Sequence, residues 1–325
     1  MLNSGHFWRA MRSLELFLLH ALPDSAQRAR LPALRRLLSR GRASATPADC
    51  VEAALLKRFD VPRQRDWPVA PLARLGDGQE PDRAYWFCAD PVHLQVDRDA
   101  LVLIDASRFE VSPSDAESLV RTLNDHFSGA GIEFSAPAAK RWYARLSHAP
   151  DIETVPLSEA AGRNVESLLP LGADALAWHR TFNEIQMLLH AHPVNEAREA
   201  RGEPAINSAW FWGGGTLPAR VAGNWVHVWA HDPLARGLCE AARILSTPIP
   251  HDFEQWLAHG EDGPHLIVLD DANADSIEQW VAPALQSLRQ HRLSGLSLSA
   301  PAGSAVQRFA LARSDLWKFW RRTAA

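Results

Sequence analysis

The chain has 325 residues, more than one compact core usually contains, so two domains or one domain with an inserted module are expected. Hydrophobic residues make up 46% of it and charged residues 22%, which is typical of a globular protein and excludes a disordered one. Because the formal net charge is −4, no overall positive field favours nucleic acid as a partner.

The cysteines and the apolar runs indicate a cellular compartment. Cys50, Cys88 and Cys239 lie far apart without CxxC spacing, so neither a disulfide framework nor a cysteine zinc site is expected. This usage is typical of a reducing environment, and we predict a cytoplasmic protein. The apolar run of residues 14–19 is short and contains Glu15, and no run reaches the roughly 18 apolar residues of a membrane-spanning helix.

The first part of the chain predicts a strand followed by helices. Residues 14–19 are typical of a buried strand, and residues 32–40 of a basic amphipathic helix. A second helix is predicted over 48–59, before the proline-rich stretch 62–81 interrupts regular structure. A module boundary is therefore expected near Pro81.

The next part predicts a small α+β module. Strands are expected over 85–96 and 101–104, a helix over 114–127, and another strand over 134–146.

A long helix is predicted to end at His190. Its core stripe at helical spacing consists of Trp178, Phe182, Ile185 and Leu189. The neighbouring ridge is polar and consists of His179, Asn183, Gln186 and His190. This ridge faces either water or a site.

The remaining residues alternate strand and helix patterns, which favours a mostly parallel sheet flanked by helices. The strands are predicted over 209–212, 225–230, 265–269 and 293–298, and the helices over 234–244 and 275–291.

Several stretches resemble a known family. The run His192-Pro193-Val194-Asn195 through Asn207, followed by Trp210-Phe211-Trp212-Gly213-Gly214-Gly215, resembles the HPVN and W-x-W-G-x-G region of bacterial cofactor-independent phosphoglycerate mutases. The preceding Ala89-Asp90-Pro91-Val92-His93-Leu94 resembles the start of their inserted transferase module. The run from Trp178-His179-Arg180 to His192 is similar to that of RpfE-type regulatory proteins of the same superfamily.

The resemblance implies an α/β fold like that of alkaline phosphatase, with a mostly parallel sheet flanked by helices and an inserted smaller α+β module. The corresponding boundaries are residues 1–82 for the first part of the phosphatase-like domain, 83–160 for the inserted module, and 161–325 for the remainder.

The mutase chemistry implied by this resemblance needs a hydroxyl nucleophile and two divalent metal ions. Where the family has a D-G-x-G metal-binding motif, this chain runs from His20 to Asp24 without either glycine. At the nucleophile position stands Ala48, which cannot attack phosphorus, and Thr46 or Cys50 would need an activating group beside it. No catalytic residue is therefore assigned.

No cofactor is expected, although a single divalent metal ion is an alternative. Its remnant ligands would come from His20, Asp24, His251, Asp252, Asp270 and Asp271. These aspartates otherwise serve as loop residues and helix caps.

Polar and glycine residues of the resembling stretches are the predicted ligand-binding site. Arg198 and Arg201 are three residues apart and suit an anion, with structural anchoring by ion pairs as the alternative. Glycines after an apolar strand let a ligand approach the backbone, or simply form a tight turn. The predicted ligand-binding residues are His179, Asn183, Asn195, Arg198, Arg201, Asn207, Gly213, Gly214 and Gly215.

These observations lead to one functional hypothesis and two alternatives. The chain is predicted to be a catalytically degenerate mutase-like protein with a regulatory or ligand-sensing role, whose partner is a small anionic metabolite or a protein. The alternatives are an active mutase or phosphotransferase with rearranged ligands, and a protein-interaction module that uses exposed tryptophan surface. Neither nucleic acid nor membrane is an expected partner, and the oligomeric state is not indicated.

Overall fold

A computed structural model describes residues 11–80, 82–98, 100–259, 261–270 and 273–317. The strands are β1 (Ser13–Leu18), β2 (Arg42–Pro47), β3 (Tyr85–Asp97), β4 (Ala100–Asp105), β5 (Ile132–Ala138), β6 (Arg141–Leu146), β7 (Ser208–Gly215), β8 (His227–Ala230), β9 (Leu245–Thr247), β10 (Pro264–Leu269), β11 (Gly295–Ala302) and β12 (Ala305–Ala312). The helices are α1 (Ser25–Ala29), α2 (Pro32–Arg40), α3 (Val51–Lys57), α4 (Val69–Gly76), α5 (Pro113–Phe127), α6 (Leu157–Ala160), α7 (Ala175–His190), α8 (Pro193–Ala200), α9 (Pro233–Ala242), α10 (Phe253–Ala258) and α11 (Ala274–Arg289).

The chain forms two compact units. The first unit combines Met1–Asp60 with Val221–Ala325, and the second is the continuous segment Val61–Arg220. The second unit includes residues 83–160, expected from sequence as a module, and extends beyond them on both sides. The extension brings in α4, α7 and β7, because β7 pairs with β3 and the two helices pack on these strands.

The first unit contains a seven-stranded sheet in the order β2-β12-β11-β1-β10-β8-β9. Strands β11, β1, β10, β8 and β9 run parallel, and β12 and β2 extend the sheet antiparallel. Alternation along β1 places Leu14, Leu16 and Leu18 on one face, where they pack in a core with Leu34 of α2 and Leu285 of α11. The prediction of an α/β fold with a mostly parallel sheet flanked by helices is confirmed.

The second unit contains an antiparallel sheet in the order β4-β3-β6-β5, with β7 also paired to β3. Helices α5 and α7 bury their apolar faces in the core of this sheet. The stripe Trp178, Phe182, Ile185 and Leu189 is buried along its whole length, as the sequence predicted. Trp178 makes edge-to-face ring contacts with Phe87 and Phe211, at centroid distances of 5.2 and 5.0 Å.

Three local predictions were wrong. The helix expected over 48–59 is shorter, because the chain up to Pro47 is held as a strand by pairing with β12. The proline-rich stretch 62–81 contains α4, all of whose residues are buried, so packing on β3 and β7 stabilises a helix that local sequence does not favour. The strand expected over 134–146 is the hairpin of β5 and β6.

Among the described residues, no helix combines the length and apolar character that crossing a bilayer requires.

The position of Leu16 in the centre of the parallel sheet gives the first prediction. Its side chain is 0% exposed and lies between Ile267 and Leu298 on the neighbouring strands. Leu16→Ala should lower the free energy of unfolding by about 3 kcal/mol, because it removes buried apolar surface and leaves a cavity. The matched change Leu245→Ala, at a side chain that is 53% exposed, should cost less than about 0.5 kcal/mol in equilibrium urea unfolding. Equal losses in the two variants would contradict this assignment of the core.

Candidate functional site

The carboxyl ends of β1, β8 and β10 meet at one edge of the seven-stranded sheet, where open α/β sheets usually bind ligands. His20 follows β1 and is exposed, and Asp270 follows β10 and is half-buried. Asp24 caps α1: its carboxylate accepts the Gln27 backbone N–H at 2.8 Å, and the Gln27 side chain accepts the Asp24 N–H at 3.2 Å.

The described side chains at this edge do not fit a metal pair. Within the described ranges, no three histidine, cysteine, aspartate or glutamate side chains lie close enough together to hold one metal ion. Of the remnant ligands, Asp252 is bonded to the Gln255 N–H as the cap of α10, while His251 is exposed beside it. Asp271 lies outside the described residues.

The residues that the mutase resemblance places at the nucleophile are held by the backbone around them. Ala48 is buried, and Thr46 lies in β2, paired with Val306 of β12. Cys50 caps α3, and its sulfur accepts the Ala53 N–H at 3.3 Å. Burial raises the pKa of the Cys50 thiol far above its ordinary value, so the thiolate that nucleophilic attack requires does not form near neutral pH.

In the second unit, Asn195 joins the end of α7 to the segment that leads into β7. Its Nδ2 donates to the carbonyls of Leu189 at 2.7 Å and Ile206 at 2.9 Å, and its Oδ1 accepts the Ile206 N–H at 2.7 Å. The side chain is 1% exposed, and both of its N–H donors and its carbonyl oxygen are bonded inside the protein.

Arg198 is also 1% exposed and is anchored on three sides. It donates to the Pro204 carbonyl at 2.9 Å, the Glu110 carbonyl at 2.8 Å and the Asp115 carboxylate at 3.1 Å. Arg201, by contrast, is exposed and forms a two-point ion pair with Glu203, at 2.9 Å for each bond. Both guanidinium groups approach the same Glu203 carboxylate, Arg198 at 3.6 Å and Arg201 at 2.9 Å, but only that of Arg201 is exposed.

Asn207 takes the place of a backbone group in the sheet. Its side chain accepts the Leu94 N–H at 2.7 Å and donates to the Leu94 carbonyl at 2.9 Å, which continues the pairing of β3 with β7 by one residue.

The three glycines at the end of β7 permit close packing. A Cβ atom on Gly214 would lie 2.2 Å from the Phe87 ring, and one on Gly215 would lie 2.7 Å from Pro68. Gly213 has a φ of +65° and faces Val69. Side chains of the second unit therefore pack directly against these three glycines.

On the polar ridge of α7, the ring of half-buried His179 donates from Nε2 to the Pro170 carbonyl at 2.9 Å, while Asn183 and His190 are exposed. Most of the polar side chains predicted as a ligand site are thus bonded to other groups of the same unit.

The sequence did not single out a polar cluster on β1. Glu15 is 7% exposed and accepts from Arg58 at 3.0 Å, Ser299 at 2.9 Å and Arg308 at 3.4 Å. A signal for it was present, because a glutamate within an apolar strand must find partners when the strand is buried. The identity of those partners depends on β11, β12 and α3, which sequence spacing does not connect.

Comparison with known proteins relates the chain to mutases. No protein-family model matches it. It is 27% identical over 116 residues to a 2,3-bisphosphoglycerate-independent phosphoglycerate mutase of Methanosarcina barkeri (strain Fusaro / DSM 804). The aligned region covers 35% of this chain and 29% of that protein. It is 25% identical over 133 residues to a probable enzyme of the same description from Geobacter sulfurreducens (strain ATCC 51573 / DSM 12127 / PCA), covering 41% and 33%. The chain therefore aligns with about a third of each relative's length.

Two solved structures are similar over most of the chain. The PH0037 protein from Pyrococcus horikoshii has a TM-score of 0.54 at 13% identity, with 93% of this chain and 88% of that chain covered, which is a likeness of fold alone. A cofactor-independent phosphoglycerate mutase from Thermoplasma acidophilum DSM 1728 has a TM-score of 0.45 at 18% identity, with 93% and 90% covered. The predicted relationship to phosphoglycerate mutases is supported by the sequence similarity.

Arg198 provides a test of anchoring. Arg198→Met should lower the free energy of unfolding by at least about 2 kcal/mol, because it leaves Asp115 and two carbonyls without their donor. The matched variant Arg201→Met should leave stability unchanged, since that ion pair is exposed. Urea unfolding of both variants measures the difference. A stable Arg198→Met protein would show that the guanidinium is available to a ligand instead.

The thiols provide a second test. Cys50, Cys88 and Cys239 are buried, and burial raises the pKa of the Cys239 thiol to about 12, so the native protein should react slowly with a thiol reagent at pH 8. All three should react at once after denaturation in urea, as counted by the absorbance of the released chromophore. Rapid labelling of native protein that Cys50→Ser abolishes would instead identify an activated thiol at this position.

Proposed function

We propose that the chain is a catalytically degenerate relative of the cofactor-independent phosphoglycerate mutases and acts as a regulatory or ligand-sensing protein. Its sequence similarity to mutases and its two-unit α/β fold support the ancestry. The observation that carries the proposal is the buried Ala48 at the nucleophile position, between a strand-bound Thr46 and a helix-capping Cys50. Phosphoryl transfer through an enzyme nucleophile cannot begin from a methyl group.

The residues at the metal positions support the same proposal. A two-metal site needs several carboxylates and imidazoles that converge on each ion. Here the carboxylate of Asp24 is bonded to the start of α1, and His20 is exposed. Where the mutases have a D-G-x-G turn, this chain has His20-Ala21-Leu22-Pro23-Asp24, in which the leading aspartate is a histidine, both glycines are missing and Asp24 caps a helix.

The regulatory part of the proposal rests on the resemblance of the run ending at His192 to RpfE-type proteins, within the alkaline-phosphatase superfamily. We propose a small anionic metabolite or a protein as the partner. A cytoplasmic location is part of this proposal, supported by three buried cysteines that form no disulfide among the described residues.

An assay of turnover tests the loss of catalysis. Purified protein should not interconvert 3-phosphoglycerate and 2-phosphoglycerate with Mn²⁺, Mg²⁺ or Zn²⁺ present, because no nucleophile is available at the position of Ala48. Enzyme-coupled detection of product measures the rate, and an active cofactor-independent mutase in the same buffer is the positive control. Metal-dependent turnover that disappears in both Asp24→Asn and Asp270→Asn would overturn the proposal and favour an active mutase with rearranged ligands.

A further inference from the structure

A cavity of about 430 Å³ lies on one face of the seven-stranded sheet. Its lining includes Ser13, Glu15, Gly295 and Ser297, at the amino ends of β1 and β11, together with Asn224 and Trp225 ahead of β8. All of these residues belong to the first unit. The cavity is therefore at the opposite end of the parallel strands from the edge that carries His20 and Asp270, and its volume is in the range typical of sites for small metabolites.

Three arginines also line this cavity. Strand pairing places two of them on the same face as Glu15. Glu15 is paired with Ser297 and Ser297 with Ala310; Arg42 lies opposite Ala310, and Arg308 lies opposite Ser299. Arg58 approaches from the end of α3. With three guanidinium groups and the one carboxylate of Glu15, the described lining carries a net charge of +2.

Glu15 neutralises only part of this charge. Each nitrogen of the Arg58 guanidinium is bonded within the unit, to Glu15, to the Ala54 carbonyl at 2.9 Å and to Ser299 at 2.9 Å. Arg308 makes a long 3.4 Å contact with Glu15 and donates to Ser297 at 3.1 Å, and its side chain is 44% exposed. The Arg42 side chain is exposed and has no hydrogen bond or ion pair with any described residue. The surplus positive charge therefore resides on Arg42 and Arg308.

The indole side chain of Trp225 also lines the cavity. The indole Nε1 of Trp225 is buried, and no described residue accepts its hydrogen. Small side chains such as that of Ala310 line the same space.

We propose that this cavity is a binding site for a small phosphorylated metabolite, whose dianionic phosphate is held by Arg42 and Arg308 beside the indole ring of Trp225. Two guanidinium groups match the charge and the several acceptor oxygens of a phosphate group. The volume exceeds that of inorganic phosphate alone, which leaves room for a short carbon chain beside Asn224. This inference deepens the proposed function, because it names the site and the chemical class of the sensed metabolite, and it rests on that function for its regulatory meaning.

The indole resonance of Trp225 gives a local readout. In ¹⁵N-labelled full-length protein, this resonance is identified by its absence from the Trp225→Phe variant. Titration with glycerol 3-phosphate, against potassium chloride at equal ionic strength, should shift it in a saturable manner. Inorganic phosphate and glycerol are titrated in parallel. Tighter binding of glycerol 3-phosphate than of inorganic phosphate or glycerol identifies a phosphate ester as the ligand class. Equally tight binding of inorganic phosphate would overturn the ester and leave free phosphate as the ligand.

Two charge-matched variants test the site. Arg42→Gln should weaken binding about tenfold, through the loss of one charge-assisted hydrogen bond. It should fold normally, because the exposed Arg42 side chain has no hydrogen bond or ion pair with described residues to lose. Arg35→Gln, at an exposed position on α2, makes the same charge change and should leave affinity unaltered. A shift that does not saturate, or that responds equally to both variants, would overturn the inference.

Failure of this inference is distinguishable from failure of the proposed function. Saturable binding that depends on Arg42, in a protein that also turns over phosphoglycerate, would retain the site and refute only catalytic degeneracy. An inactive protein without saturable binding would refute only the site.

Discussion

The organisation of both units depends on the cost of burying a polar group without a hydrogen-bond partner. In the second unit, Asn195 and Arg198 lie within a segment that resembles a mutase signature, yet each directs its donors to carbonyl or carboxylate groups of its own unit. A signature can therefore persist because it holds the fold together, and its presence is weak evidence for a reaction.

The same constraint gives a different result on β1. Burial of Glu15 requires compensating charge, which two arginines provide, and two serine hydroxyls add hydrogen bonds to the same carboxylate. An ion cluster with more cations than anions leaves a positive potential, which partial burial strengthens because water screens it less. The requirement to neutralise one carboxylate thus concentrates guanidinium groups on one sheet face, and a structural cluster becomes a surface suited to anions.

Much of the fold follows from sequence periodicity, whereas the site does not. The strand at residues 14–19, the helix over 32–40 and the buried stripe of α7 were predicted because local pattern and burial agree. Helix α4 was missed because its stability comes from packing, and β2 because its pairing with β12 joins distant segments. The cluster around Glu15 depends on the same long-range register. Spacing within one segment could identify Arg198 but could not show that its partners are internal.

The discontinuity of the first unit has a consequence for synthesis. Strand β1 leaves the ribosome early, but both of its sheet neighbours, β10 and β11, are translated after the whole second unit. The second unit is one continuous segment and can fold while the chain is still growing. Until the last strands appear, the apolar residues of β1 have unpaired backbone on both sides, which is a template for incorrect strand association. The sheet can therefore close around β1 only after β10 and β11 have been translated.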